Sequence, residues 1–143
     1  MRDQGATARV VFGEVAATAK ALGASSRPEL QAIAKRLGDA LQAWVKATEW
    51  LAVDAKNGLA GPLTAAVPYL HLAVTVCGGW LMGKAALVAA DYLDKGEGDQ
   101  LFYRGKIATA HFYADQMLPL AASYGETVRA GSAALAAVTD EML

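Results

Sequence analysis

The sequence has little charge and little charge imbalance. Charged residues make up 19% of the 143 positions, and the 13 basic and 14 acidic residues give a net charge of −1. A chain with so little net charge has no field that attracts nucleic acid or an anionic membrane surface. We therefore expect no nucleic-acid partner for this protein.

Cysteine is almost absent, since Cys77 is the one cysteine and an intrachain disulfide cannot form. The first 13 residues also lack the apolar run of a secretory signal, because they include Arg2, Asp3, Gln4 and Arg9. Both features fit a reducing compartment, and we expect a cytoplasmic protein.

Residues that could carry chemistry are equally scarce. His71 and His111 are the only histidines, and neither belongs to the Glu-x-x-His pair of di-iron bundles. His111 has Asp115 one helical turn on, which is typical of a surface pair. The chain has no Gly-x-Gly-x-x-Gly turn after a strand and no phosphate loop. We therefore predict no catalytic, cofactor-binding or metal-binding residue in this chain.

Strand-like alternation is missing too, and apolar residues recur every three or four positions in four long segments. The sequence predicts an all-α fold, an up-down bundle of four long helices. Because 143 residues is a common size for a single hydrophobic core, we treat residues 1–143 as one domain.

The first two helices are predicted from their caps and periodicity. The first should run from about Asp3 to Ala21. The second should begin at a capping box formed by Ser26 and Glu29 and end at Asn57–Gly58. It has the clearest amphipathic pattern, with one apolar face formed by Leu30, Ile33, Leu37, Leu41, Trp44, Thr48, Leu51 and Ala55.

The third helix should begin between Pro62 and Pro68 and end at Lys95–Gly96. Between Leu70 and Val88 it is apolar nearly all round, so we expect it to be the most buried helix, with a kink near Pro68. Its length would also suit a membrane span, but its prolines, glycines and alanines favour the core of a soluble bundle.

Gly79 and Gly83 lie four residues apart in this helix, and so share one face. We predict that their missing side chains allow close packing of another helix there. The alternative is a local bulge near Cys77.

The fourth helix should begin at an Asp99 N-cap and bend or break near Pro119. Its seam is predicted to contain Tyr103, Ile107, Ala110, Ala114, Met117, Ala121, Tyr124 and Val128. A short last turn is expected over Ala133–Ala137.

Three consecutive apolar residues, Leu101, Phe102 and Tyr103, open this fourth helix and cannot all face one core. Trp50 likewise lies off the main apolar face of the second helix. We predict that Trp50, Phe102 and Tyr103 contribute to an interface with another part of the protein or a second copy.

The third and fourth helices also carry a series of short motifs in a fixed order: Val67-Pro-Tyr-Leu70, Gly78-Gly-Trp-Leu-Met82, Phe102-Tyr-Arg-Gly-Lys-Ile-Ala-Thr-Ala110, Phe112-Tyr-Ala114 and Leu118-Pro119. This pattern resembles the extra C-terminal helical domain of flavin-dependent acyl-CoA dehydrogenases, in the 3-methylmercaptopropionyl-CoA dehydrogenase-like subgroup. The resemblance is best from about Leu63 to Ala130.

The resemblance implies a non-catalytic domain of an FAD-dependent oxidoreductase of fatty acid metabolism. It would pack on the catalytic body or a neighbouring subunit, and we expect an excised domain. In that family the flavin, the acyl-CoA and a catalytic glutamate in a Tyr-Glu-Gly-Thr-Asn-type stretch belong to the body, and this chain lacks that stretch. The alternative is an independent helical bundle that binds a small ligand, a lipid or a protein.

Overall fold

The computed structural model of the protein describes residues 5–133 together with positions 138 and 142, and no strand occurs among them. The predicted all-α bundle is confirmed, with the fourth helical segment broken in two. Of the predicted last turn, all but Ala133 lies outside the described residues. The helices are α1 (Ala6–Gly23), α2 (Pro28–Asp54), α3 (Ala60–Lys95), α4 (Gln100–Gln116) and α5 (Leu120–Ala130).

The predicted apolar face of α2 forms one wall of the core. Its residues from Leu30 to Leu51 are buried, and Ala55 follows the helix as a half-buried C-cap. α1 packs on this wall through Phe12, whose ring meets the Trp44 ring edge-on at 4.9 Å between centroids. Each large side chain buried in this way stabilises the fold by roughly 1.5 to 3 kcal/mol.

The predicted capping box at the start of α2 is wrong. The N-cap is Arg27, whose backbone is extended (φ −83°, ψ 121°) ahead of Pro28. Because proline disfavours a helical conformation in the preceding residue, Ser26 stays outside the helix. Ser25 is the serine that acts locally, since its Oγ accepts the Arg27 N–H at 3.2 Å.

The third helix, α3, is the longest, with 36 residues, and it packs more extensively with the other helices than any of them does. In the extent of its packing, the prediction that this helix is the most buried one is confirmed. It begins two residues before Pro62 and continues through Pro68 as one helix. It ends at Gly96, whose left-handed backbone (φ 68°) returns the N–H of Glu97 to the Tyr92 carbonyl at 3.1 Å.

Side-chain hydrogen bonds fix the rotation of α3 about its own axis relative to the neighbouring helices. Each bond joins a polar group of α3 to a polar group on a neighbouring helix, so that both groups have a hydrogen-bond partner. The bonds are Trp80 Nε1 to Thr18 Oγ1 (2.9 Å), the Tyr113 hydroxyl to the Thr75 carbonyl (3.1 Å), and the Tyr69 hydroxyl with Thr48 Oγ1 (2.8 Å).

The break between α4 and α5 lies at Met117–Pro119, as the proline predicted. It also alters the predicted seam. The N–H of Leu118 reaches the Tyr113 carbonyl at 3.3 Å, one residue further than in a regular helix. This extra residue turns Met117 outward, where it is 40% exposed, and Leu118 takes its place in the core.

Candidate interaction surface

The start of α4 positions the aromatic residues predicted to form an interface. Asp99 is the N-cap, as predicted, and its Oδ1 accepts the N–H groups of Leu101 and Phe102, both at 3.0 Å. The three residues that follow point in different directions. Leu101 is 80% exposed, Phe102 is 54% exposed and Tyr103 is half-buried.

Phe102 and Tyr103 form one aromatic group with α3. The Tyr103 ring stacks on Tyr92 at 4.7 Å with an interplanar angle of 10°, and Phe102 meets Tyr103 edge-on at 5.5 Å. The Nζ of Lys106 lies 5.0 Å from the centre of the Phe102 ring, within cation–π range. The exposed ring of Phe102 therefore contacts both an aromatic ring and a cation.

A groove of about 320 Å³ runs between α3 and α4 beside these rings. Its walls are nearly all apolar, and it also carries two lysines. The Nζ of Lys84 lies 5.1 Å from the centre of the Trp80 ring. Among the described ion pairs, none involves Lys84 or Lys106. The lining residues of this lysine groove are Lys84, Ala85, Val88, Ala89, Phe102, Tyr103 and Lys106.

Trp50 lies elsewhere. It is half-buried on α2, and a Cβ added to Gly131, just after α5, would come within 3.1 Å of two atoms of its indole ring. The structure thus brings Phe102 and Tyr103 together and places Trp50 beside the end of α5. Whether any of the three residues meets a partner stays a prediction.

An apolar face of α3 was missed by the sequence reasoning. Six large residues along this helix are between 56% and 72% exposed, although the helix was expected to be the most buried one. The residues of this face follow one another at a heptad-like spacing of 4, 3, 4, 7 and 7 residues, which places them on one side of the helix but does not indicate whether that side is buried. We call this face the outer stripe; it consists of Leu63, Val67, Leu70, Val74, Leu81 and Val88.

Gly79 and Gly83 lie on the opposite, buried side of α3. A Cβ added to Gly79 would lie 2.5 Å from a methyl carbon of Leu118, and one added to Gly83 would lie 2.9 Å from a methyl carbon of Leu22. Leucine side chains, and not a helix backbone, are therefore the nearest atoms to the two glycines.

The residues considered for other chemistry lie apart from one another. The exposed ring of His71 meets Tyr124 edge-on at 5.4 Å, and His111 Nε2 lies 3.4 Å from Asp115 Oδ2, as the helical spacing predicted. Burial raises the pKa of the Cys77 thiol, which disfavours a reactive thiolate. Within residues 5–133, 138 and 142, no three potential metal ligands come together.

The described residues do not fit a flavin. Three open grooves of the described surface measure about 280, 320 and 310 Å³, and a fourth measures about 60 Å³, so none exceeds the lower end of the range for small-molecule pockets. In the described part of the chain, Trp44 Nε1 is the one buried side-chain polar atom without a partner, and a single donor cannot hold a cofactor of this size.

Comparisons with known proteins place the chain beside one family model and two acyl-CoA dehydrogenases. The family model described as acetyl-CoA dehydrogenase C-terminal like matches residues 11–139. The chain is 36% identical over 118 residues to 3-methylmercaptopropionyl-CoA dehydrogenase of Ruegeria pomeroyi, covering 82% of this chain and 20% of that enzyme. It is 46% identical over 52 residues to the broad-specificity linear acyl-CoA dehydrogenase FadE5 of Mycobacterium tuberculosis, covering 35% of this chain and 8% of that enzyme.

The chain thus spans about a fifth of the length of the first of these relatives and less of the second. The family match covers most of the chain, including α2, α3, α4 and α5 in full. The chain therefore belongs to the family of acetyl-CoA dehydrogenase C-terminal-like domains.

Proposed function

We propose that this chain is the non-catalytic C-terminal helical domain of an FAD-dependent acyl-CoA dehydrogenase, which packs on the catalytic body, a neighbouring subunit, or both. The observation that carries the proposal is the family match over residues 11–139, in a chain that spans only a fifth of its dehydrogenase relative. The proposed function includes a role in fatty acid metabolism and a cytoplasmic location.

The chemistry of acyl-CoA oxidation supports a non-catalytic role. The reaction removes a proton from one carbon and a hydride from the next, which needs a positioned carboxylate base beside a bound flavin. Glu14, Glu29 and Glu49 are exposed on the helix surfaces. Asp91 and Asp94 are held in surface ion pairs with Lys95 and Arg27. None of these carboxylates lies in a cavity that fits a flavin.

The proposal can be tested on the purified chain and on a chimera. The chain alone should be colourless and should not oxidise an acyl-CoA. A chimera of the Ruegeria pomeroyi enzyme, with its matching region replaced by this chain, should be soluble, flavin-loaded and active. A second chimera carrying an unrelated four-helix bundle of equal length is the matched control and should lose solubility or activity.

Two results would contradict the proposal. A flavin absorbance band that stays with the isolated chain through gel filtration would give this chain a cofactor site of its own. Equal activity and solubility of the two chimeras would show that the surface of this chain contributes nothing to the enzyme.

A second candidate is an independent bundle that binds lipid. It is favoured by one observation: α3 is long and apolar enough to cross a membrane, and less than half of its most apolar part is buried. Flotation of the chain with neutral phosphatidylcholine vesicles would support this candidate. A chain that remains at the bottom of the gradient would exclude it.

A further inference from the structure

The outer stripe of α3 has the geometry of a helix-packing seam. Its six apolar residues occupy the alternating three- and four-residue positions of a heptad repeat, and Cys77 and Lys84 occupy the two positions between them. The outward face of a helix in a soluble bundle is normally polar. A face of this length, about 37 Å from Leu63 to Val88 at 1.5 Å per residue, suits a second long helix.

We propose that the outer stripe and the adjoining lysine groove together dock a helix of the dehydrogenase body, and that this helix carries carboxylates opposite Lys84 and Lys106. The inference rests on the proposed function, because that function supplies the body. It goes further by naming the face that docks and the chemistry of its partner.

The lysines argue that the occupant is a different helix and not a second copy of α3. In a parallel pair of outer stripes, Lys84 would meet Lys84. In an antiparallel pair that overlaps fully, Lys84 would lie opposite Val67, in a segment from Leu59 to Gly83 that contains no Asp or Glu. Neither arrangement supplies a carboxylate, and like charges brought together in an apolar seam are costly.

The lysine groove is continuous with the outer stripe, because Val88 belongs to both. Lys106 and the half-exposed Phe102 extend the surface onto α4 at this end. A docked helix would therefore cover apolar residues along α3 and would reach both ammonium groups at one end. The carboxylates of α3 nearest this end, Asp91 and Asp94, already pair with Lys95 and Arg27.

Hydroxyl-radical footprinting of the isolated chain and of the active chimera tests the inference. Leu63, Leu70, Leu81 and Val88 should be modified several-fold more slowly in the chimera than in the isolated chain. Apolar residues of similar exposure that lie off the stripe are the internal controls and should be modified at similar rates in both proteins: Val10, Val53 and Phe112.

The outcomes separate this inference from the proposed function. Protection confined to α1, α2 or the Phe112 face would overturn the inference but leave the domain docked on the body. No protection anywhere would overturn both. Protection that appears in the isolated chain as its concentration rises would assign the stripe to a second copy and overturn the inference.

A charge reversal tests the proposed carboxylates. The Lys84→Glu, Lys106→Glu double variant of the chimera should lose most of the protection at Leu81 and Val88, because like charges would then face each other across the groove. Lys35→Glu, at an exposed position of α2, is the matched control and should keep that protection. The isolated double variant should remain folded at the temperature of the footprinting, although it loses two cation–π contacts, so that lost protection reports docking and not unfolding. Full protection in the double variant would overturn the role of the lysines.

Discussion

The α2 and α3 helices are both rich in apolar residues, but they distribute them differently. α2 buries one apolar face and presents charged residues such as Lys35, Asp39 and Lys46 to water. α3 buries one apolar face and presents a second one outward. The packing of this chain on itself accounts for the apolar residues of α2, apart from the exposed Val53, but for only one of the two apolar faces of α3. An apolar helix in a bundle is therefore not always an enclosed helix.

The largest effect is expected from two Leu→Ala truncations, one in the buried face of α2 and one in the outer stripe of α3. Leu37 of α2 is fully buried, so Leu37→Ala should destabilise the chain by about 2 to 5 kcal/mol through lost burial and a residual cavity. Leu70 of the outer stripe is 59% exposed, so Leu70→Ala should change the free energy of unfolding by less than about 0.5 kcal/mol. Urea denaturation measures both. Equal losses would show that the stripe is covered within the isolated chain.

A smaller effect is expected from filling the space beside a glycine. Gly79→Leu should destabilise the chain by roughly 1 to 3 kcal/mol, because the new side chain must displace Leu118. Gly105→Ala is the matched control, since a Cβ there would meet nothing within 4 Å. It should stabilise α4 by about 0.5 to 1 kcal/mol. A denaturation midpoint unchanged by Gly79→Leu would show that the inner side of α3 has room to spare.

The smallest effect concerns Cys77, at the edge of the outer stripe. Burial raises the pKa of this thiol above its ordinary value of 9.0, so the folded chain holds the proton more tightly than the unfolded chain. The free energy of unfolding should therefore fall slightly as the pH rises from 9.0 toward the folded pKa. Iodoacetamide should also react more slowly with the folded chain than with the chain in denaturant. Cys77→Ser should weaken this pH dependence, part of which comes from Tyr113, because burial also raises the pKa of its hydroxyl above 10.0. An unaltered dependence in that variant would assign it to other groups.

The sequence predicted most where a helix has one apolar face and clear end signals. The buried face of α2 and the N-cap at Asp99 were both correct, because each depends on residues within one or two turns. The capping box at Ser26 failed because Pro28 controls the backbone of Arg27, and the helix starts one residue later than the serine pattern indicated. Pro119 predicted the break between α4 and α5. It did not predict the extra residue in the last turn of α4, which rotates Met117 out of the core and Leu118 into it.

The candidate interaction surface, which consists of the aromatic residues of α4 and the outer stripe of α3, was predictable only in part. Phe102 and Tyr103 were identified because three consecutive apolar residues on a helix cannot face the same way. The outer stripe was not, because a helix that is apolar nearly all round gives no sign of which side the rest of the chain will cover. Trp50 was grouped with the other two aromatic residues because it lies off the main apolar face of α2, whereas the structure places it beside Gly131.

The sequence was enough to predict the helical class and the number of long segments. For each helix with one polar side, it also predicted which face points inward. These features depend on periodicity and on local backbone chemistry, which act over a few residues. Which side of α3 is buried could be seen only in the tertiary structure. The same holds for the lysine groove that adjoins the exposed side of this helix. Those features depend on which helices pack against one another, and no local pattern in a nearly uniform apolar segment specifies that choice.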